Sequence, residues 1–390
     1  MPATSQRSLL TDGTLDQFAK RAAGYDRDNA FFTEDFAELR DIGYLTIAVP
    51  EDLGGAGFSL PEVAREQQRL AYRSPATALA VNMHLYWTGA AADVHRSGDT
   101  SVDWLLREAA AGAVFAAGHG EPGNDLVLAH SNVRAEPAAD GGYSFYGRKI
   151  FTSLSPVWTW LGLHALDDSD PANPKVVHAF VRREAPGYRI VETWDTLGMR
   201  PTRSDDTLLE GVRAEPEHVA RVLPAGPPDD PFIFAIFGWV LPLFGTIYYS
   251  IARRATDLAI ENARRRVSKE LGGRTFAYHP YLQWTVAEAL LKLEAISAQL
   301  ERVTSDWSSG ADHGELWVSK LFAAKYNAVE GAKEVVDLAL RATGGAAFFK
   351  NNELERLYRD VRAGAFHPPS AYLVHDVIAK TALGVTADNG

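Results

Sequence analysis

The 390-residue chain contains no cysteine. Disulfides, thiolate catalysis and cysteine-ligated metals are therefore excluded. Metal-ligand spacings of histidine and carboxylate are missing too, so His164, His178 and His313 read as surface or hydrogen-bonded histidines. There is no P-loop, no GxSxG elbow, no HExxH and no GxGxxG following a strand. Basic charge is scarce: 39 Lys and Arg stand against 50 Asp and Glu, a net charge of −11. That balance argues against nucleic acid or an anionic membrane surface as partner. Residues 1–20 carry scattered charges without the apolar core of a signal peptide. Long uncharged runs are rare. The one at 231–252 is long enough to span a bilayer, but it contains Gly238, Pro242, Gly245, Thr246 and Ser250 and has no companion. It reads as a buried bundle helix, and the expected compartment is the cytoplasm.

What is present is an ordinary globular balance, 46% hydrophobic and 23% charged. Residues 1–112 read mostly as helix: Phe31, Phe32, Phe36, Leu39 and Ile42 keep helical spacing up to Gly43. After a Gly-rich turn at 51–57, further helices are expected over about 60–72 and 77–91. From about 114 the pattern changes to short β-rich runs (143–145, 176–181, 188–191) separated by turn signals. Residues 113–222 are thus expected to form a small antiparallel β domain, followed by a linker at 223–230. Long helical patterns at about 232–269, 281–308, 315–342 and 371–382 then predict a four-helix bundle over 231–390. The fold class is α+β, mainly α: a helical N-terminal domain, a β domain, then the bundle.

Six stretches, in order, carry a resemblance. They are Val49-Pro50-Glu51-Asp52-Leu53-Gly54-Gly55; Gly120-Glu121-Pro122-Gly123-Asn124-Asp125; Gly147-Arg148-Lys149-Ile150-Phe151-Thr152-Ser153; Trp194-Asp195-Thr196-Leu197-Gly198-Met199-Arg200; Arg264-Arg265-Arg266 with His279-Pro280 after it; and Gly344-Gly345 followed by Leu357-Tyr358-Arg359-Asp360. Together they resemble the acyl-CoA dehydrogenase superfamily over nearly the whole chain. The second stretch is similar to the family's T-E-P-G-x-G-S-D and the third to its G-x-K-x-W-I-T.

The resemblance implies FAD, rather than FMN, held between the β domain and the bundle of a homo-oligomer, a dimer or tetramer. Gly120, Glu121 and Gly123 would present backbone N–H groups to the flavin edge, where charge gathers on reduction. Phe151 falls where the family has a flavin-covering Trp. Thr152 is beside it, and Ser153 falls where a Thr hydroxyl meets the flavin. Arg266 matches an arginine that meets the cofactor diphosphate, and Gly344 and Gly345 allow close backbone approach to it. Read without the resemblance, the glycine pair is a helix C-cap.

One expected group is missing. Where the family places its catalytic Glu, this chain has Pro368, and the alternative position falls in the uncharged 232–241 stretch. The resemblance extends to flavin monooxygenases of the same fold, which take reduced flavin from a separate reductase and need no α-proton base. His367 and His84 are the candidate catalytic residues, with Tyr86 as a candidate substrate contact; His84 has the alternative of a helix histidine bonded to backbone. The favoured reading is a monooxygenase of a small organic substrate. The alternatives are dehydrogenation of an acyl thioester with a non-standard base, and a non-catalytic flavin-binding or interaction protein.

Overall fold

The computed structural model describes residues 7–385. The first layer is helical: α1 (Asp12–Asp28), α2 (Thr33–Asp41), α3 (Leu60–Arg73), α4 (Pro75–Arg96) and α5 (Asp103–Ala110). Local chemistry sets their starts. The Thr11 hydroxyl accepts the Thr14 N–H, and Ser59 with Glu62 forms a reciprocal capping box on α3. Nearly every residue of α4 is buried, so it serves as the central helix against which both the sheet and the bundle pack.

The sheet comprises β1 (Phe115–Gly118), β2 (Arg134–Pro137), β3 (Tyr143–Lys149), β4 (Trp160–Asp167), β5 (Lys175–Arg182), β6 (Tyr188–Val191), β7 (Asp206–Ala214) and β8 (Val219–Pro224). Its order is β6-β7-β3-β2-β4-β5-β8, with β1 beside β4. It is mixed rather than wholly antiparallel, because β1 runs parallel to β4 and β2 meets β4 in parallel at Arg134 and Leu166. Those parallel pairs arise because the chain leaves β1 by the long 119–133 loop, so no hairpin returns it antiparallel. The start of the expected linker is taken up by β8, which continues to Pro224.

The bundle consists of α6 (Pro231–Arg265), α7 (Pro280–Ser308), α8 (Leu316–Thr343), α9 (Glu353–Val361) and α10 (Ala371–Leu383). Asp230 caps α6 by accepting the Phe232 and Ile233 N–H groups at 2.9 and 3.1 Å. Helix α6 is apolar and long enough to cross a membrane, yet 83% of its most apolar window is buried within this fold. It crosses α4 so closely that a Cβ on Gly89 would stand 2.2 Å from the Trp239 ring. The half-buried Asp93 carboxylate ties three helices by accepting the indole N–H groups of Trp239 and Trp307, each at 2.7 Å. The N-terminal helices and the bundle share one continuous apolar core, while a second core lies within the sheet. Trp87 of α4 docks onto the sheet, donating to the Ala116 carbonyl at 3.2 Å.

Candidate flavin site

Most of the residues marked by the sequence lie on two neighbouring backbone turns of the sheet and on a loop of the bundle. After β1 the chain makes a turn at 119–124, and the end of β3 lies alongside it: Ile150 N–H donates to the Gly120 carbonyl at 2.9 Å. Glycine is required there, because a Cβ would stand 2.7 Å from the Ile150 oxygen. The N–H groups of Glu121 and Gly123 donate to no atom among the described residues, and Gly123 has open space around it at φ +71°. This turn therefore offers free backbone donors of the kind an electron-rich ring edge binds.

The Glu121 side chain does something else. It is buried against the Lys149 ammonium and also accepts from Ser131 Oγ (2.5 Å), Asn132 N–H (2.6 Å) and Asn124 Nδ2 (3.0 Å). Burial opposes its ionisation, but the ammonium and these donors hold its pKa below the ordinary carboxylate value. The carboxylate is spent on anchoring the 124–132 loop, so only the backbone of Glu121 is left for a ligand.

At the end of β3 the backbone turns sharply, with Phe151 at φ +58° and Leu154 at φ +66°. Such positive angles are uncommon for side-chain-bearing residues and mark functional turns. They push the Phe151 ring outward, 52% exposed and 5.9 Å edge-on from Trp194. Thr152 is buried, and its hydroxyl has no partner among the described residues. Ser153 Oγ lies 2.7 Å from Ser204 Oγ, which lies 2.7 Å from Thr202 Oγ1. Thr202 bonds the Met199 carbonyl, and the Met199 N–H donates to the buried Asp360 carboxylate of α9 at 2.6 Å. This chain of bonds ties the β3 turn to the bundle.

On the bundle side, His367 lies just beyond α9, half-buried, its ring stacked 4.2 Å from Phe244. Its Nε2 is 2.7 Å from the Tyr248 hydroxyl of α6. Lys325 of α8 holds the loop by donating to the carbonyls of His367 and Pro369 at 2.6 and 3.0 Å. Burial, then the Lys325 ammonium, pushes His367 down to about 3. Tyr248 is fully buried, and its hydroxyl has no other acceptor among the described residues. With the phenol donating to Nε2, the imidazole proton rests on Nδ1, which has no hydrogen-bond partner among the described residues.

Two family models match this chain: Acyl-CoA dehydrogenase, N-terminal domain, over residues 7–100, and Acyl-CoA dehydrogenase, C-terminal domain, over residues 244–369. Together they cover more than half of it. The amino sugar nitrososynthase DnmZ of Streptomyces peucetius is 32% identical, covering 98% of this chain and 94% of its own. The putative acyl-CoA dehydrogenase YdbM of Bacillus subtilis (strain 168) is 30% identical over 91% of this chain and 90% of its own. The solved structure of KijD3 in complex with FMN and dTDP-3-amino-2,3,6-trideoxy-4-keto-3-methyl-D-glucose is 28% identical, with a TM-score of 0.84, covering 100% of this chain and 96% of that one. The chain belongs to the acyl-CoA dehydrogenase family. It is a flavin-dependent oxidoreductase.

Within this acyl-CoA dehydrogenase fold, Arg266 and the glycine pair meet. Arg266 Nη1 donates to the Thr343 carbonyl at 2.6 Å, and the position of a Cβ on Gly344 is 3.6 Å from that nitrogen. Gly344, at φ +75°, caps α8. The free guanidinium N–H groups with open backbone at Gly345 suit a phosphate group. His84 does not join the site. It is completely buried, its Nε2 is 2.7 Å from the Leu45 carbonyl and its Nδ1 accepts the Phe115 N–H at 3.0 Å. Both nitrogens serve the backbone, and burial pushes its pKa down to about 4; it is a core histidine. Tyr86 is buried edge-on to His119, and its hydroxyl has no partner among the described residues.

Sequence reasoning missed Tyr248, Lys325 and Asp360 as site neighbours. Tyr248 was hidden in an apolar helix where an aromatic reads as core. It also misread His164 and His178, which are neither exposed nor fully bonded: His164 Nδ1 and His178 Nε2 are buried without partners among the described residues. His313 does pair with Asp306, at 2.8 Å.

Proposed function

We propose that the chain is a flavin-dependent monooxygenase of a small amine-bearing or aromatic substrate. The Tyr248–His367 pair carries the reading. Dehydrogenation of an acyl thioester needs a base with a free lone pair to take the α-proton. No Asp or Glu occurs in residues 361–370 or 231–252, and the one basic lone pair of His367 is occupied by the Tyr248 hydroxyl. What His367 has left is a neutral Nδ1–H, a hydrogen-bond donor suited to holding an oxygen atom in place. A bound reduced flavin would supply two electrons to O2; one oxygen atom goes to substrate and the other leaves as water with two protons. This chain contributes the backbone donors at 120–123, the Phe151 ring, the Thr152 and Ser153 hydroxyls and the His367 N–H.

The amine part of the substrate class is supported by DnmZ, an amino sugar nitrososynthase, and by the amino sugar nucleotide bound to KijD3. KijD3 also favours FMN, whereas the Arg266–Gly344 cradle suits the diphosphate of FAD; the mass of flavin released on denaturation decides between them. A separate reductase supplies the reduced flavin. The assembly is a homo-oligomer, since Trp284 (73% exposed), Ala287 and Leu291 (69%) share one face of α7 beside an open groove of about 290 Å³. We place the enzyme in the cytoplasm. YdbM, named as a putative acyl-CoA dehydrogenase, supports the second reading, dehydrogenation.

The test supplies flavin, a flavin reductase, NADH and isotopically labelled O2, with the KijD3 amino sugar nucleotide as first probe and a panel of small aromatics beside it. Incorporation of one labelled oxygen atom into a product is expected. Peroxide formation with no oxygenated product from any probe counts against the proposal.

A further inference from the structure

Three hydroxyls stand in line between the β3 turn and the bundle, and their protons fit only one arrangement. Ser153 Oγ lies 2.7 Å from Ser204 Oγ, and Ser204 Oγ lies 2.7 Å from Thr202 Oγ1. Thr202 Oγ1 in turn lies 2.9 Å from the Met199 carbonyl oxygen. All three residues are buried, so bulk water offers them no other partner. Two oxygens this close repel unless a proton lies between them. The carbonyl has no proton to give, so Thr202 donates to it. The Thr202 proton is then spent, and Ser204 donates to Thr202. By the same step Ser153 donates to Ser204. Ser153 Oγ is left as an acceptor only, and no donor meets its lone pairs among the described residues.

The far end of the line is firmly held. The Met199 N–H donates to Asp360 at 2.6 Å, and its carbonyl also accepts the Thr202 N–H at 3.1 Å and the Trp194 indole N–H at 3.2 Å. The N–H groups of Leu154 and Ser155 donate to the carbonyls of Thr202 and Arg203 at 3.2 and 3.3 Å, which locks the two turns face to face. Both turns are strained. Met199 and Arg203 stand at φ +53° and +41°, opposite Phe151 and Leu154 at +58° and +66°. Left-handed backbone at residues with side chains is costly and collects at functional sites. Alanine at 153 and 204 and valine at 202 would fill the same space without hydroxyls to satisfy.

We propose that Ser204 and Thr202 are positioning residues that hold Ser153 as a pure hydrogen-bond acceptor toward the flavin, so that the site takes reduced flavin in preference to oxidised. An acceptor meets the ring only where a nitrogen carries hydrogen. Reduction places a hydrogen on N5; in the oxidised ring the same nitrogen holds a lone pair, which the lone pairs of Ser153 repel. The N3–H is present in both states and would give no preference, so relative affinity separates the two placements. The inference rests on the reading of the Ser153 hydroxyl as a flavin contact, and adds the direction of its proton.

The test measures affinity for oxidised FMN and FAD by fluorescence titration, and for the dithionite-reduced flavins by anaerobic equilibrium dialysis. Wild type should bind the reduced form about tenfold tighter or more, which raises the two-electron potential of the bound flavin by about 30 mV. Ser204→Ala frees the Ser153 proton to turn toward the ring, so oxidised flavin should bind tighter and the preference should shrink about tenfold. Thr202→Val frees the Ser204 proton to turn toward Ser153 and should act alike; it serves if Ser204→Ala does not fold. Thr202→Ser keeps the hydroxyl and should keep the wild-type ratio. Lost packing alone would weaken both redox states equally and leave the ratio as it was. If neither flavin binds in either state, the flavin reading fails and this inference with it. If flavin binds and the wild-type ratio is near one, or is unchanged in Ser204→Ala and Thr202→Val, only the proposal for Ser153 is overturned.

Discussion

Replacing Tyr248 by phenylalanine removes one oxygen atom and one hydrogen bond while keeping the buried ring, so no cavity opens. The bond to His367 Nε2 is 2.7 Å long, and a hydrogen bond of this kind contributes about 0.5–1.5 kcal/mol net. Stability in urea should therefore fall by about 1 kcal/mol, too little to unfold the protein. The chemical effect is larger. Without the phenol, nothing fixes the imidazole proton on Nδ1, and the donor we assign to the site is lost from part of the population. Burial and Lys325 persist, so His367 stays uncharged near neutrality and the change is one of tautomer alone. Turnover on any substrate found should drop about a hundredfold, the range of a positioned proton donor, with flavin affinity unchanged. The direct assay is 15N NMR of labelled histidine: the wild type should show His367 protonated at Nδ1, and Tyr248→Phe a mixture. A wild-type signal with the proton on Nε2, or a His367 that titrates near 6.5, would refute the reasoning.

Glu121→Gln leaves the fully buried Lys149 ammonium without its counter-charge and should cost about 3–5 kcal/mol in denaturant unfolding; a loss under about 1 kcal/mol contradicts the anchoring role. Acid should destabilise the fold. His84 has a folded pKa of about 4 against 6.5 unfolded, so the unfolded chain binds more protons between these values and stability falls as pH drops through that window, by about 3 kcal/mol for this group alone. His119, His164, His178 and His367 act in the same direction. Asp35 and Asp360, raised to about 6, act the opposite way, and pH-dependent urea midpoints should show the histidines prevailing; a flat profile from pH 7 to 4 contradicts it. Arg266→Ala should weaken flavin binding about tenfold with melting temperature preserved, measured by fluorescence titration; unaltered affinity removes Arg266 from the phosphate cradle.

The helices were legible where one apolar face or an uncharged run left little choice. The buried character of α6 followed from its residues, as did the helical spans of α3, α7 and α8. Helix α9 was not separated out, because its nine residues are highly charged and Arg254 and Asp26 pair with its Glu353 and Arg359 only after folding. The parallel place of β1 beside β4 was equally invisible, since a strand of four residues carries no record of its partner. At the site, Gly120 and Gly123 stand where a close backbone approach and a positive φ favour glycine, whereas Phe151 was marked by the resemblance alone, since its φ of +58° does not favour a side chain. Tyr248 was not legible, since its meaning comes from His367, 119 residues away in sequence. His84 was chosen for its residue type, and only its contacts with Leu45 and Phe115 show that the backbone had already claimed both nitrogens.

The account turns on whether this chain lacks a base for α-proton removal. Anaerobic addition of a series of acyl-CoA thioesters to the oxidised, flavin-loaded protein tests it most directly, with flavin absorbance as the readout. No bleaching by any thioester is predicted. Rapid bleaching with formation of the enoyl product would show that a base is present and would contradict the monooxygenase assignment.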